Sequence, residues 1–441
     1  MPSGPTKKVV FQDTGNDTAE DIFHAVSSIF EEFGGGSALL KSSGNVFLKV
    51  NGIDFKPHVY TSPEVVEAVI TYFFEQGAKQ VYVIENSTQG NITRLVFEIT
   101  GMKKICRKTG AIPVYLDETE AMPMYLPGLK SFIDIPDLVH DNLVENRSDN
   151  LYISIPKLKT HSMTTVTLGI KNQFGLVHQM SRIPDHNFKL HQKLADIYSN
   201  IQPDFTIIDA LEATNYGHYP AGAQEETCVL PIHLLIGGND PLAVDITAAS
   251  FLGFELKDVE HLRLAAQDTN ARDITNAVEI VNRSLFDERK KNFSWDLLEI
   301  FPDDVTILRG KTRCCKEGCR RNTEAVLEVF YQDFNGKGNF SILMGKDVDP
   351  VEADRITGPV HLAGDCAIAD NYRKIKKRVG KKKITCSPGC NNLAATVDGL
   401  AKWMKISPLK LVPMNPLKSL GILAQAKIGG TKANIPPVLK F

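Results

Sequence analysis

Hydrophobic and polar positions along this chain follow two alternating periods. Short runs rich in β-branched and aromatic residues, such as "KKVVFQD", "NVFLKVNG" and "KQVYVIENS", predict strands. Amphipathic stretches with helical spacing lie between them, such as "TAEDIFHAVSSIFEEFG" and "SPEVVEAVITYFFEQGA", each with a polar cap before it and a glycine near its end. The rhythm continues through "AIPVYLD", "NLYISIP", "DFTIIDA" and "PIHLLIGG". It predicts an α/β fold whose mainly parallel sheet is covered by helices on both faces.

The pattern changes near Phe301, where a cysteine-rich turn, "TRCCKEGCRRN", begins a second series of elements. Strands are predicted at "NFSILMG", "GPVHLAGDC" and "KKKITC", and helices at "TEAVLEVFYQDF", "AIADNYRKIKKRVG" and "NNLAATVDGLAKWM". We therefore expect a large α/β domain over residues 1–300 and a smaller, cysteine-rich α/β domain over residues 301–441. The segment after Ile406 is rich in Pro, Lys and Gly and is expected to be irregular.

Composition places the chain among ordinary globular proteins, since 43% of its residues are hydrophobic, 23% are charged and the formal net charge is −2. The first residues lack the apolar region and cleavage site of a signal peptide, and no stretch approaches the length of a membrane span. These features predict a cytoplasmic protein that binds neither membranes nor nucleic acids. They do not indicate an oligomeric state.

The densest polar segment of the chain is "IPKLKTHSMTTVTLGIKNQFGLVH", which begins at the end of a predicted strand. Lys157 and Lys159 alternate there, so they point to the same side of the backbone. With Lys171 they would form a cationic pocket for a carboxylate or phosphate, and His161 would act as a base, a ligand or a hydrogen-bond donor. The alternative is that the lysines are solvated and that His161 caps a turn.

The same segment resembles the signature of a family called domain of unknown function 362. Four further pieces match in the family's order: "KVN" at Lys49, "TSPEVVEAVI" at Thr61, "FTIIDALEA" at Phe205 and "NDPLAVDITAASFLG" at Asn239. The resemblance extends over residues 8–260 or so. Members of the family are often described as associated with iron–sulfur clusters or ferredoxins. The ferredoxin-type cysteine insert that many of them carry does not occur in this sequence.

The resemblance implies a shared cleft, and the matching polar positions are its candidates. The residues expected to be catalytic are His161, Lys159, Lys171 and Asp209. Those expected to bind the substrate, an anionic small molecule, are Lys49, Asn51, Lys157, Asn172 and Asp245. In this hypothesis the lysines hold the anion, His161 moves a proton and Asp209 orients His161.

Two aspartates of "NDPLAVD" also have structural interpretations. Asp240 stands directly before Pro241, and capping the helix that Pro241 begins is its favoured role. Asp245 lies within the same predicted helix, next to an apolar face. Both a buried hydrogen bond and a place in the cleft are open to it.

Six of the eight cysteines fall in the late segment, and in a reducing compartment such clustering favours metal binding over disulfides. The predicted ligands, at strand ends and helix starts, are Cys319, Cys366, Cys386 and Cys390, with Cys315 or Cys314 as substitutes for Cys319. Four thiolates suit an iron–sulfur cluster or zinc. We expect a 4Fe-4S cluster, partly from the family's association; zinc and redox-active thiols are the alternatives. Cys106 and Cys228 are expected to be buried.

The run "NYRKIKKRVGKKK" carries eight basic residues between Arg373 and Lys383. It is interpreted either as a solvated helix face or as a docking patch for an acidic electron-transfer protein. Nucleic acid is disfavoured because only Tyr372 supplies an aromatic ring.

Three hypotheses about function follow. The favoured one is a cytoplasmic iron–sulfur protein with a redox or electron-transfer role that acts on an anionic small molecule. The second is a non-redox isomerase, lyase or transferase in which the cysteines hold a structural zinc. The third is an accessory protein for the maturation of a metal cofactor.

Overall fold

A computed structural model describes residues 7–267, 278–407 and 410–433. The strands are β1 Lys7–Asp13, β2 Asn45–Val50, β3 Gln80–Glu85, β4 Ile112–Tyr115, β5 Ala121–Leu126, β6 Ser131–Pro136, β7 Leu151–Ile155, β8 Lys157–His161, β9 Thr165–Val166, β10 Phe205–Thr214, β11 Val229–Gly238, β12 Val278–Val281, β13 Val305–Arg309, β14 Phe340–Met344, β15 Val360–Ala363 and β16 Ile384–Ser387. The α-helices are Ala19–Glu31, Gly36–Leu39, Pro63–Glu75, Thr93–Ile99, Met102–Thr109, Asp137–His140, Leu168–Asn172, Gln179–Asp185, Leu190–Asn200, Glu225–Cys228, Pro241–Phe251, Glu260–Ala265, Arg283–Arg289, Arg321–Phe334, Pro350–Asp354, Asp365–Val379, Leu393–Trp403 and Pro416–Ile428.

A ten-stranded sheet dominates residues 7–281, with the order β12-β1-β11-β10-β7-β2-β3-β4 and with β8 and β9 branching from β10. Its pairs are parallel except where β11 joins β1 and β10 and where β9 joins β8. The helices Ala19–Glu31 and Pro63–Glu75 pack on one face of the sheet. The helices Leu190–Asn200 and Pro241–Phe251 pack on the other face, so the predicted α/β fold with helices on both faces is confirmed.

A second sheet begins at Val305 and has four parallel strands in the order β13-β14-β15-β16. Its core contains Leu327 and Phe330 on one side and Leu362 and Ile375 on the other. In a parallel sheet the carboxyl ends of the strands share one edge, and ligands bind at that edge. The cysteines that follow β15 and β16 are therefore brought to one side of this sheet.

Local signals explain where several helices begin. Thr18 caps the first helix and forms a reciprocal capping box with Asp21. Asp240 accepts a hydrogen bond from the backbone of Ala243 while Pro241 occupies the first helical position, which confirms the capping role predicted for Asp240.

The expectation of an irregular C-terminal tail is wrong for residues 416–428, which form a helix. The Asn415 side chain caps this helix, and Pro416 occupies its first turn. Ile422 and Ala426 are buried against Ile92 and Leu95, so the helix is stabilised by a small apolar contact with the first domain.

Within the described residues, no helix has the length and apolar character needed to cross a bilayer.

Candidate functional site

A small charged cavity lies beyond the carboxyl ends of β2, β3 and β8, where ligands bind in α/β folds. Its volume is about 80 Å³. Among its lining residues are Lys49, Asn51, Glu85, His161, Lys171, Asn172, Arg182, His186 and His218 from the large sheet and its connections, and Asn322 and Asn391 from the second unit. We call this space the charged cavity.

Lys49 and Glu85 form a buried ion pair at the floor of the charged cavity. Their side chains are 1% and 2% exposed, and the Lys49 Nζ lies 2.7 Å from Glu85 Oε1. Burial lowers the pKa of Lys49, and the Glu85 carboxylate partly offsets that effect. A Cβ atom on Gly175 would lie 2.6 Å from Lys49 Nζ, so this position has room only for glycine. The pair is thus fixed before any ligand arrives.

Asn172 is held between neighbouring strands. Its amide nitrogen donates to the Lys49 carbonyl at 3.0 Å and to Ser154 Oγ at 3.1 Å, and its Oδ1 accepts from Asn51 Nδ2 at 3.2 Å. Asn51 Oδ1 is buried and has no hydrogen-bond partner within the described part of the chain. A buried acceptor without a donor is costly, and a ligand with a donor group would satisfy it.

Asp245 holds the start of the short helix Leu168–Asn172 in place. Its carboxylate accepts from the backbone N–H groups of Gly169 at 2.8 Å and Ile170 at 2.7 Å. Burial raises the pKa of Asp245 to about 7, against the opposing effect of these two bonds. Of the two roles open to Asp245, the structure places it in the buried hydrogen bond, because it does not line the charged cavity. It acts on the site through Lys171 and Asn172.

Lys171 and Arg182 give the charged cavity its surplus of positive charge. Burial, together with the nearby charges of Arg182 and Lys49, lowers the pKa of Lys171 to about 7. Its Nζ lies 5.3 Å from the centroid of the Phe174 ring. Burial also lowers the pKa of Arg182 to about 10, and its Nε has no hydrogen-bond partner among the described residues. The lining has three cations (Lys49, Lys171 and Arg182) and one carboxylate, Glu85, so an anion is the complementary ligand.

His161 and His218 are stacked at the wall of the charged cavity, with ring centroids 3.7 Å apart and an interplanar angle of 2°. Burial lowers the pKa of both rings well below the usual value, so both are neutral near pH 7. His161 Nδ1 accepts from the backbone N–H of Met163 at 3.1 Å. The neutral His161 ring therefore carries its proton on Nε2 and is assigned as a donor there.

Three residues of the predicted site do not line the charged cavity: Lys157, Lys159 and Asp209. Lys157 Nζ lies 3.2 Å from Asp209 Oδ2 and 3.3 Å from Glu212, and both residues of the first pair are fully buried. These carboxylates raise the pKa of Lys157 despite its burial. Lys159 Nζ donates to the Val59 carbonyl. The geometry assigns all three to structural contacts that fix β8 and the adjacent loops.

A second cavity, of about 280 Å³, lies at the carboxyl edge of the small sheet. Its lining includes the four cysteines Cys315, Cys319, Cys366 and Cys390 and the four glycines Gly318, Gly345, Gly364 and Gly389. We call this space the cysteine cavity. Cys366 is the second residue of the helix Asp365–Val379, where unpaired N–H groups and the helix dipole favour negative charge. Arg313 Nε donates to Cys315 Sγ at 3.3 Å.

The structure thus brings together three of the four predicted ligands, and Cys315 takes the place of Cys386. Strand β16 continues through Ser387, so Cys386 lies within the strand. Its side chain packs on the apolar cluster that contains Ile375 and Leu362, away from the cysteine cavity. The prediction of Cys386 as a ligand is therefore not supported by its position. Cys314 also lies outside the lining, although its thiol hydrogen-bonds to Cys319.

All eight cysteines are free thiols. Within the described residues, no three His, Cys, Asp or Glu side chains are grouped to hold a single metal ion. The donor set of the cysteine cavity nevertheless fits an iron–sulfur cluster: four thiols, small glycine neighbours and a space larger than one ion needs. Cys106 and Cys228 are buried elsewhere, as expected.

The two cavities share a wall. Asp185 lines the cysteine cavity, and the next residue, His186, lines the charged cavity. In the same way, Cys390 lines the cysteine cavity and Asn391 lines the charged cavity. Asn187 Nδ2 donates to the Cys390 carbonyl at 3.1 Å. A Cβ on Gly389 would lie 2.5 Å from the Pro184 carbonyl oxygen, so glycine allows this close approach. The two cavities are therefore separated by the segments Asp185–His186 and Cys390–Asn391.

The basic run lies away from the cysteine cavity. Cys366 is at the start of the helix Asp365–Val379, and the basic residues Lys376, Lys377 and Arg378 are in its last turn. The helix has 15 residues, which is about 20 Å of length. Lys381–Lys383 precede β16, at the edge of the sheet opposite to the cysteines.

These features define the class of protein: a two-sheet α/β protein with a buried cationic cavity beside four cysteines. Residues 46–250 match the model of the family described as Domain of unknown function (DUF362), which bears out the resemblance seen in the sequence over that segment. The chain is also similar to the Thylakoid-associated protein sll1697 of Synechocystis sp. (strain ATCC 27184 / PCC 6803 / Kazusa). The two are 26% identical over 268 residues, which cover 57% of this chain and 74% of that protein.

Sequence reasoning missed several residues of the charged cavity. Arg182 lies in the short helix Gln179–Asp185, His186 and His218 lie in connections, and Asn322 and Asn391 belong to the second unit. Glu85 had a usable signal, because it lies near the carboxyl end of the predicted strand "KQVYVIENS" and is the last residue of β3.

Proposed function

We propose that this protein holds an iron–sulfur cluster, of the 4Fe-4S type, in the cysteine cavity and uses it in a redox reaction of an anionic small molecule bound in the charged cavity. The observation that carries the proposal is the shared wall. It sets the cavity that four thiols line beside a cavity with three cations and one carboxylate, with Cys390 next in sequence to Asn391 and Asp185 next to His186. The proposed ligands are Cys315, Cys319, Cys366 and Cys390.

When bound, such a cluster supplies one-electron transfer, and backbone N–H groups near its sulfur atoms tune its potential. The first step for the residues of this chain is to bind the anion. The Lys171 ammonium and the unpaired Arg182 Nε are the groups that would receive it. Arg182 also donates from Nη1 to the Asn86 carbonyl at 2.9 Å, which fixes the guanidinium plane.

Two groups are suited to hold or move a proton in the charged cavity. Lys171, with a pKa of about 7, exchanges its proton near physiological pH. His161 would donate a hydrogen bond from Nε2 to a ligand oxygen, since its Nδ1 is engaged by Met163. In this proposal Lys171 takes over the proton transfer that the sequence assigned to His161.

The proposal also concerns location and partners. We propose a cytoplasmic protein, which the eight free thiols support because metal ligands must stay reduced. An electron-transfer partner would dock more effectively at the rim of the cysteine cavity than at the basic run. Phe188, which is 39% exposed, lies in that rim, whereas the basic run lies at the far edge of the small sheet.

The test is iron and acid-labile sulfide analysis of anaerobically purified protein, with visible absorption and EPR spectra before and after reduction. We expect iron and sulfide in equal amounts and a signal that appears on one-electron reduction. A colourless protein with one zinc ion per chain would contradict the cluster.

One observation favours a second candidate. The near-neutral pKa of Lys171 is also what a non-redox lyase or isomerase needs in a general base. In that case the cysteines would hold a structural zinc, and the metal analysis above would separate the two candidates.

A further inference from the structure

An apolar chamber of about 180 Å³ lies beside the charged cavity. Its lining includes Phe55 from the loop after β2, Val326 and Phe330 from the helix Arg321–Phe334, and Val397 from the helix Leu393–Trp403. The acid in the lining, Asp54, already accepts from the backbone of Phe55 at 2.7 Å and from Asn91 at 3.1 Å. The chamber therefore offers mainly apolar surface, and its acid already has hydrogen-bond partners within the protein.

The chamber and the charged cavity are adjacent. Met163, His218 and Asn322 line both spaces. A molecule that places an anionic group between Lys171 and Arg182 would extend past the His161–His218 stack toward Val326 and Phe330. Burying apolar atoms there is favourable because they leave water.

We propose that the anionic substrate carries a hydrophobic body of the size of a phenyl ring or a short branched alkyl chain. The anionic head, a carboxylate or a phosphate monoester, binds in the charged cavity, and the body fills the apolar chamber. This inference rests on the proposed function, since it assumes that the charged cavity binds an anion.

The experiment is a calorimetric titration of the full chain with acetate, butyrate and phenylacetate. Each added methylene that enters the chamber should raise the affinity about fourfold. Phenylacetamide, which has the same body without the charge, should bind at least about tenfold more weakly than phenylacetate. Titrations with phenyl phosphate and inorganic phosphate then show whether the preferred head group is a phosphate or a carboxylate.

Ala325→Phe supplies the test on the protein side, because Ala325 lines the chamber and a phenyl side chain would fill it. This variant should keep the affinity for acetate and lose the preference for phenylacetate. Tyr331→Phe is the matched control, since Tyr331 lies on the same helix and is 37% exposed outside the chamber.

The outcomes are distinct. Equal affinities for acetate and phenylacetate in the wild-type protein would overturn the inference and leave the anion site intact. If none of the three carboxylates and neither of the two phosphates binds, both the inference and the anion-binding part of the proposed function are wrong. Metal analysis still decides whether the protein holds a cluster. A stronger preference for phenyl phosphate than for phenylacetate would support the inference with a phosphate head.

Discussion

The charged cavity and the cysteine cavity lie side by side but are built in different ways. Strands and loops far apart in sequence supply the charged cavity, which keeps three cations against one carboxylate. Turns at one edge of the small sheet supply most of the cysteine cavity, whose lining combines thiols, glycines, Arg313 and two aspartates. A surplus of positive charge selects an anion, whereas thiols that lose their protons select a soft metal. Two sites of opposite preference thus share one wall.

The largest effect is expected from serine substitutions in the cysteine cavity. Cys366→Ser and Cys390→Ser should each lose most of the bound iron and sulfide, because an alcohol is a poor ligand for a thiolate site. Cys315→Ser should do the same. The measurement is metal analysis with visible absorption spectra of anaerobically purified variants.

Cys386→Ser is the matched control for this experiment, since Cys386 has the same residue type but packs among apolar side chains. It should keep the wild-type spectrum. A loss of colour in Cys386→Ser with retention in Cys315→Ser would show that the sequence-based ligand set was correct.

The second comparison concerns two lysines with opposite surroundings, the fully buried Lys157 and the partly buried Lys171. Lys157 is paired with Asp209, so Lys157→Met leaves an uncompensated buried carboxylate and should cost about 3–5 kcal/mol of unfolding free energy. Lys171 forms no ion pair within the described residues, so Lys171→Met removes a charge that burial disfavours and should leave the unfolding free energy unchanged or slightly higher. Denaturant titrations of both variants measure the difference.

The same two variants should separate binding from stability. Lys171→Met should weaken phenylacetate about 30-fold or more, because a charge-assisted contact is lost. A properly folded Lys157→Met protein should bind it nearly as wild type. If both variants bind equally well, Lys171 is not the anion's partner.

Asp245→Asn should have an intermediate effect. An asparagine amide has one oxygen, so it accepts from only one of the two N–H groups of Gly169 and Ile170 and sets its own N–H₂ against the other. About 1–3 kcal/mol of unfolding free energy should therefore be lost. Asp240→Asn is the control, since an asparagine still caps the helix. A stability change in Asp240→Asn as large as that in Asp245→Asn would contradict the positioning role.

The smallest expected effect is the pH dependence of anion affinity. The Lys171 ammonium, with a pKa of about 7, loses its charge as the pH rises, so affinity should fall by less than about tenfold between pH 7 and pH 8 and then level off near the affinity of Lys171→Met. The probe acids stay ionised throughout this range. Calorimetry between pH 6 and pH 9, compared with Lys171→Met, should show that the slope disappears in the variant.

Much of the fold could be predicted because its strands and helices obey local rules. Strand β1 coincides with the predicted "KKVVFQD", and the first helix begins at a capped threonine. Strand β8 escaped prediction, although all five of its residues are buried. Its sequence, "KLKTH", is polar and is satisfied by Asp209, Val59 and Met163, which are distant partners that no local period can indicate.

The candidate site likewise combines residues that the local sequence indicates with residues that only tertiary contacts bring in. Cys319, Cys366 and Cys390 follow from strand ends and helix starts, whereas Cys386 was placed at the end of a strand that in fact continues through Ser387, and Cys315 had been predicted only as a substitute for Cys319. Arg182 and His218 reach the charged cavity through tertiary contacts alone. Lys157, Lys159 and Asp209 had the expected residue types, but their partners are each other and nearby backbone.

The wall shared by the two cavities has a thermodynamic consequence. The segments Asp185–His186 and Cys390–Asn391 contact both spaces, so a ligand that orders them on one side changes the cost of ordering them on the other. Linkage then requires reciprocity: the factor by which an anion alters metal retention equals the factor by which the metal alters anion affinity. Two titrations, each made with and without the other ligand, must therefore return the same number.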